Sequence, residues 1–424
     1  MELCETLCAQ HCISPIFEHP CYPVTQVKQC LHDTCGVHTS FNTTEEFRTQ
    51  VQNTCLSGGA WNWSVTTPPD LDLVDCTGRA KRFDLQPEPR YTIPINGYLS
   101  PVIIVFSVFN NFLVCLVLLK PHMRSPITNI LIAMAFSDMM TGLFPLPFFV
   151  YFFTMERVHE WVPYNWCRVT NFFMEYIPTI FHTASIWLTM VLAVQRYICV
   201  CHVFKARTLC TVQNSRRAVV IIYIAAALSQ ITRFFDQYPV ETFQVSLLDP
   251  TTIVSACRME YRPWFLSNID LYFNIYFWFR VIFIHFIPCV SLVVMTVLLI
   301  YAMRVAQTQR KKLLSQNKDC ESRQFRESNR LTLMLVAVVG VFLLVELPLG
   351  LIMVLLIIDR TFKKVIISSG MFSNLSLFSN FFILLSYPLN FFIYCGMSKQ
   401  FRNTFKRIFK RTYSVDSGTP TTPV

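Results

Sequence analysis

The sequence predicts an all-α membrane protein: a seven-transmembrane helix bundle with an amphipathic eighth helix and a Cys-rich extracellular N-terminal tail. Three observations carry this. Of 424 residues, 53% are hydrophobic and only 15% charged, where soluble chains carry about 25% charged residues. The apolar residues gather in runs that can each cross a hydrocarbon core of ~30 Å, which needs about 20 helical residues. The basic residues gather in alternate connecting segments, so the net charge of +10 reads as positive-inside topology. No nucleic-acid partner is expected.

Residues 1–96 form the expected extracellular tail. Cys4, Cys8, Cys12, Cys21, Cys30, Cys35, Cys55 and Cys76 are even in number, and the segment has little apolar matter for a core. That predicts disulfide stapling, with about 105 pairings open. Asn42-Thr43-Thr44 and Asn62-Trp63-Ser64 are glycosylation acceptors. No apolar run in residues 1–90 is long enough for a signal-peptide core, so the first span is expected to direct its own insertion.

Residues 97–397 hold the bundle, with apolar spans near 98–119, 127–153, 168–201, 218–237, 271–303, 331–358 and 370–395. Residues 398–424 form a cytoplasmic amphipathic helix and tail. Phe401, Phe405, Ile408 and Phe409 recur there at helical spacing among Lys399, Arg402, Lys406 and Arg407, as in a helix lying on the inner leaflet. The loop after span 5 is rich in Lys and Arg, whereas Glu156, Glu160, Glu241, Asp249 and Glu260 fall between spans 2 and 3 or 4 and 5, with Asp236 at the very end of span 4. The expected orientation is N-terminus outside and C-terminus cytoplasmic.

Ionisable residues at membrane depth are functional candidates. Asp138 in span 2 has amide and hydroxyl candidates around it in Asn111, Ser185 and Asn390. Such a set can hold a small hard cation such as sodium or serve as a helix-packing hub. Arg280 in span 5 and Glu346 in span 6 can pair across a cavity, and Glu175 and His182 lie in span 3. Cys167 and Cys257 both fall on the oxidising side, so a disulfide between them would tether the loop between spans 4 and 5. Gln195-Arg196-Tyr197 ends span 3. Taken alone, Arg196 is an interfacial anchor or a moving part.

Together these features resemble a rhodopsin-like G-protein-coupled receptor over about residues 97–411. Asn111, Asp138, Arg196, Pro288, Pro348, Tyr394 and Phe401 match family positions, and Asn390-Phe391-Phe392-Ile393-Tyr394 matches the Asn-Pro-x-x-Tyr motif. The stretches Phe181-His182-Thr183-Ala184-Ser185, Tyr276-Phe277-Trp278-Phe279-Arg280 and Val345-Glu346-Leu347-Pro348 resemble the sex peptide / myoinhibitory peptide receptor group of invertebrates. The resemblance implies an extracellular amidated peptide as ligand, a heterotrimeric G protein of the inhibitory type as partner, arrestin and receptor kinases as further partners, and the plasma membrane as location. It implies sodium at Asp138 and a cytosolic switch at Gln195, Arg196, Tyr197 and Tyr394.

Tyr176, Tyr272, Tyr276, Trp278, Arg280 and Glu346 are the candidates for contact with a peptide amide and indole, because such a ligand suits aromatic walls with a few buried polar groups. Another neuropeptide, such as an Arg-Phe-amide, is the alternative ligand, and a secondary transporter the rival class. No internal repeat supports the transporter, and no catalytic or cofactor motif indicates an enzyme.

The chain departs from the family pattern in ways that carry structural expectations. Gln195 replaces the acid before Arg196, Glu346 replaces the span-6 Trp, and Phe391 replaces the Pro of the span-7 motif. The Cys167–Arg196 interval is one turn longer than usual, so Pro178 is expected to kink the span or mark a bulge.

Overall fold

The structure, a computed structural model, describes residue 81 and residues 89–246, 248, 253–314, 319–362 and 368–416. The tail cysteines, Asn42 and Asn62 lie outside the described residues. The chain forms two compact units. One takes in Val158–Val169 and Tyr238–Glu260; the other takes in Asp84–Arg157, Thr170–Gln237 and Tyr261–Val424.

In the first unit, β1 (Gln237–Val245) pairs with β2 (Ile253–Tyr261). Pro163 bridges Ala256, and Lys81 sits between Val162 and Cys257 through backbone bonds of 3.0 and 2.7 Å. Cys167 and Cys257 are joined by a disulfide, with Cα atoms 5.6 Å apart.

The second unit is helical. Among the described residues, six helices are long and apolar enough to cross a membrane: α1 (Arg90–Leu118), α2 (Pro126–Thr154), α3 (Tyr164–Cys201), and, after a shorter α4 (Val212–Ser229), α5 (Leu271–Val305), α6 (Asp319–Phe362, with its apolar stretch at Val336–Leu355) and α7 (Gly370–Met397). A final helix, α8, spans Lys399–Asp416.

The fourth helix corrects the expected 218–237. It starts earlier, where Thr211 accepts a hydrogen bond from the Asn214 amide at 3.2 Å as N-cap. It stops at Ser229, because Ser229-Gln230-Ile231-Thr232 offers polar side chains that compete with the backbone. Its 18 residues rise about 27 Å. The first turns carry Arg216 and Arg217, which sets this helix apart from the six apolar ones.

Prolines shape the others. Of the four π-helical segments among the described residues, three, Ile93–Leu99, Phe172–Tyr176 and Arg280–Phe286, each end two residues before a proline: Pro101, Pro178 and Pro288; the fourth, Phe149–Thr154, does not. Proline has no N–H and clashes with the carbonyl four residues back, and a π-turn relieves both. The overlong span 3 thus takes the bulge of the two expected alternatives. In α5, the carbonyl of Phe283 would bond a π-type donor at position 288, which is proline. The indole Nε1 of Trp187 in α3 donates to that carbonyl instead, at 3.0 Å.

The core of this unit runs down the inner faces of these helices through Val114, Leu131, Leu188, Leu192, Leu292 and Val339, and it takes in Tyr394 and Phe401 near the start of α8. Arg402 of α8 donates to the last carbonyls of α7, Cys395 at 2.8 Å and Gly396 at 2.7 Å, closing that helix end.

Candidate functional site

At the centre of the bundle, Asp138 is buried between α3 and α7. The Ser185 hydroxyl donates to its Oδ1 at 2.7 Å, and the Asn390 amide donates to its Oδ2 at 3.1 Å. Three of the four hub residues expected from the sequence thus meet. Asn111 does not bond Asp138. Its amide turns to the carbonyls of Ser107 at 3.1 Å and Tyr387 at 3.5 Å, pinning α1 to α7.

A cavity of about 40 Å³ opens beside Asp138, lined among others by His182, Ser185, Glu346, Tyr387 and Asn390. His182 spans it. Its Nδ1 shares a 3.0 Å hydrogen bond with the Tyr387 hydroxyl, and its Nε2 stands 3.3 Å from Glu346 Oε1. On the far side of the same carboxylate, His285 Nδ1 stands 3.4 Å from Oε2. Glu346 and His285 are each 3% exposed. Gly350, one turn beyond Glu346, faces His285: a Cβ there would meet that of His285 at ordinary contact distance, 3.4 Å.

This corrects the expected pairing of Arg280 with Glu346. The π-turn of α5 rotates His285 inward, while Arg280 lies five residues nearer the start of α5. Arg280 Nη1 instead donates to the Tyr276 hydroxyl at 3.1 Å, which donates in turn to Gln230 Oε1 at 3.1 Å. Sequence reasoning passed over His285. Its place three residues before Pro288 was the available signal.

Nearer the start of α3, past the end of α4, lies a second cluster that sequence reasoning missed. Arg233 is clasped by the rings of Tyr176 and Tyr276 at 5.4 and 5.5 Å. Its guanidinium meets Glu175 at 2.6 Å and Asp236 at 3.6 Å. Two of the aromatic candidates therefore pack around an arginine of this chain. Tyr272 stacks on Tyr276 and bonds Thr232 at 2.7 Å, and Trp278 is 44% exposed.

Burial pushes the Asp236 carboxyl up to about 6, against the pull of Arg233. A raised carboxyl takes its proton in the folded state before the unfolded chain does. Stability is therefore expected to rise as pH falls from about 7 through 6 towards 4, by at most about 3 kcal/mol. Unfolding midpoints of the purified protein at pH 7.5 and 5 test this. Asp236→Asn should lose that rise, and equal pH slopes in parent and variant would refute the assignment.

At the other end of α3, Arg196 is buried with no ion pair among the described residues. Gln195 does not bond it; the Gln195 amide donates to Ser215 at 3.3 Å. Tyr197 faces His202, and Tyr394 packs against Phe401. Among the described residues, no group of three His, Cys, Asp or Glu side chains is arranged to hold a metal ion.

The structure is thus a bundle of apolar helices threaded by buried polar residues, with Arg196 buried at the end of the third. Residues 98–412 match the family described as serpentine type 7TM GPCR chemoreceptor Srw. The chain belongs to these seven-transmembrane G-protein-coupled receptors, a multi-pass receptor class that is not enzymatic. It is 40% identical over 326 residues to the sex peptide receptor of Drosophila melanogaster, covering 75% of this chain and 73% of that one. It is 38% identical to sex peptide receptor-related protein 2 of Caenorhabditis elegans, over 75% and 72% of the two chains. To the FMRFamide receptor of Drosophila melanogaster it is 28% identical, over 76% and 55%.

Proposed function

We propose that this chain is a plasma-membrane receptor for an extracellular amidated neuropeptide of the myoinhibitory or sex-peptide-like kind, and that it activates a heterotrimeric G protein of the inhibitory type. The 40% identity to the sex peptide receptor carries this reading. The N-terminus faces outside, in keeping with the Cys167–Cys257 disulfide and the basic segments that follow α3 and α5. Peptide binding selects one packing of the bundle over another, and the selected packing frees Arg196 and Tyr394 to meet the G protein. The basic face of α8 lies on the anionic inner leaflet. Receptor kinases and arrestin act at Ser414, Ser417, Thr419, Thr421 and Thr422.

The residues around Asp138 suit a sodium ion. Each carboxylate oxygen accepts one hydrogen bond and keeps a further lone pair. The adjoining cavity, at about 40 Å³, has room for an ion or a water. The donors are oxygens, as a hard cation requires.

The similarity to an FMRFamide receptor supports a second reading, in which the ligand ends in Arg-Phe-amide. A panel of synthetic amidated peptides in a G-protein activation assay separates the two. Peptides ending in Trp-amide are expected to activate at least tenfold more potently than those ending in Arg-Phe-amide. The reverse order moves the assignment to the second class, and substrate uptake without G-protein activation overturns both.

A further inference from the structure

Arg280 is a cation inside a span, and its environment leaves it incomplete. It shares the inward face of α5 with Tyr276 and Ile284, one turn to either side and both buried. Its Nε is buried without a hydrogen-bond partner. Its Nη1 meets a neutral phenol rather than an anion. Three carboxylates of the same unit are engaged elsewhere: Glu346 faces two imidazoles, and Glu175 and Asp236 face Arg233. Among the described residues no carboxylate lies within ion-pair distance of Arg280.

A guanidinium has five donors and no acceptor capacity. Held half-buried in a membrane span, it is costly unless an oxygen acceptor arrives. The Tyr276–Gln230 chain at 3.1 and 3.1 Å fixes one edge of the guanidinium. The fork is therefore held in place before any acceptor is present, which lowers the cost of binding one.

We propose that Arg280 binds an oxygen acceptor of the peptide, either the carboxylate of an acidic side chain or the carbonyl of the C-terminal amide. This rests on the peptide-receptor reading and names the ligand chemistry of one subsite within it.

Double-mutant cycles test it. Wild type, Arg280→Gln and Arg280→Lys are compared at matched surface expression, against a Trp-amide peptide and two analogues. One analogue has its acidic residues changed to amides. The other ends in tryptamine and so lacks the terminal carbonyl. Arg280→Gln is expected to lower potency towards the parent peptide at least tenfold, and Arg280→Lys by less. That loss should vanish with the first analogue if the acceptor is a side-chain carboxylate, and with the second if it is the amide carbonyl. The ligand-free Arg280→Gln receptor should be at least as thermally stable as wild type.

Potency within twofold of wild type for both variants, or an equal loss with every peptide, overturns the proposal. If Arg280→Gln fails to reach the surface, the Lys variant and the two analogues still complete a cycle. Wild type silent to every peptide would instead overturn the peptide-receptor reading itself.

Discussion

Replacing Glu346 with leucine is expected to destabilise the receptor by about 1–3 kcal/mol, the range found when a buried polar group is left without its partner. The reason is local. Glu346 holds His182 Nε2 at 3.3 Å and His285 Nδ1 at 3.4 Å through different oxygens. His285 has no hydrogen-bond partner at either ring nitrogen, so without the carboxylate it is a buried polar ring with nothing opposite it. Thermal unfolding in nanodiscs measures the effect. Changing His285 to phenylalanine in the Glu346→Leu background should recover part of the loss, since the two residues are in contact and their effects are not additive. Single and double variants that simply sum would show that the carboxylate and imidazole act independently. Glu346→Gln keeps hydrogen-bonding capacity and is expected to cost less.

Trp187→Phe should cost about 1–3 kcal/mol, the penalty for leaving a carbonyl without a donor where no water reaches it. The ring remains and only the indole N–H is lost. Proline at 288 cannot serve the Phe283 carbonyl, and in a lipid setting no water replaces the missing donor. The 3.0 Å bond from Trp187 also ties α3 to the π-turn that presents His285. The same variant should therefore weaken the coupling measured between positions 285 and 346. A Trp187→Phe receptor as stable as its parent would mean that Phe283 finds another donor.

The two predictions share a structural lesson. Asp138, His182, Arg280 and Glu346 were visible in the sequence as rare ionisable residues in apolar runs. Their partnership was not, because a pairing between helices depends on rotation about each axis. One extra residue in the α5 turn brings in His285 and leaves Arg280 aside. The Gln195 case is similar. It stands next to Arg196 in sequence, yet consecutive helical side chains diverge by about 100°, and the amide meets Ser215 at 3.3 Å. The Arg233 cluster was illegible for another reason: it joins Glu175 on α3 to a segment that sequence periodicity had assigned to the fourth span.

What the sequence determined by itself was the class of molecule. Composition and long apolar runs demand helices that satisfy their own backbone in lipid. Pro178 in an overlong span announces an irregular turn, since a missing N–H must be accommodated locally. What only the tertiary structure decided was which polar groups meet: Ser185 and Asn390 on Asp138, two histidines on Glu346, two tyrosines around Arg233. Those contacts depend on helix rotation and π-turn register, and the hydrophobic pattern constrains such angles to a face of the helix rather than to a partner.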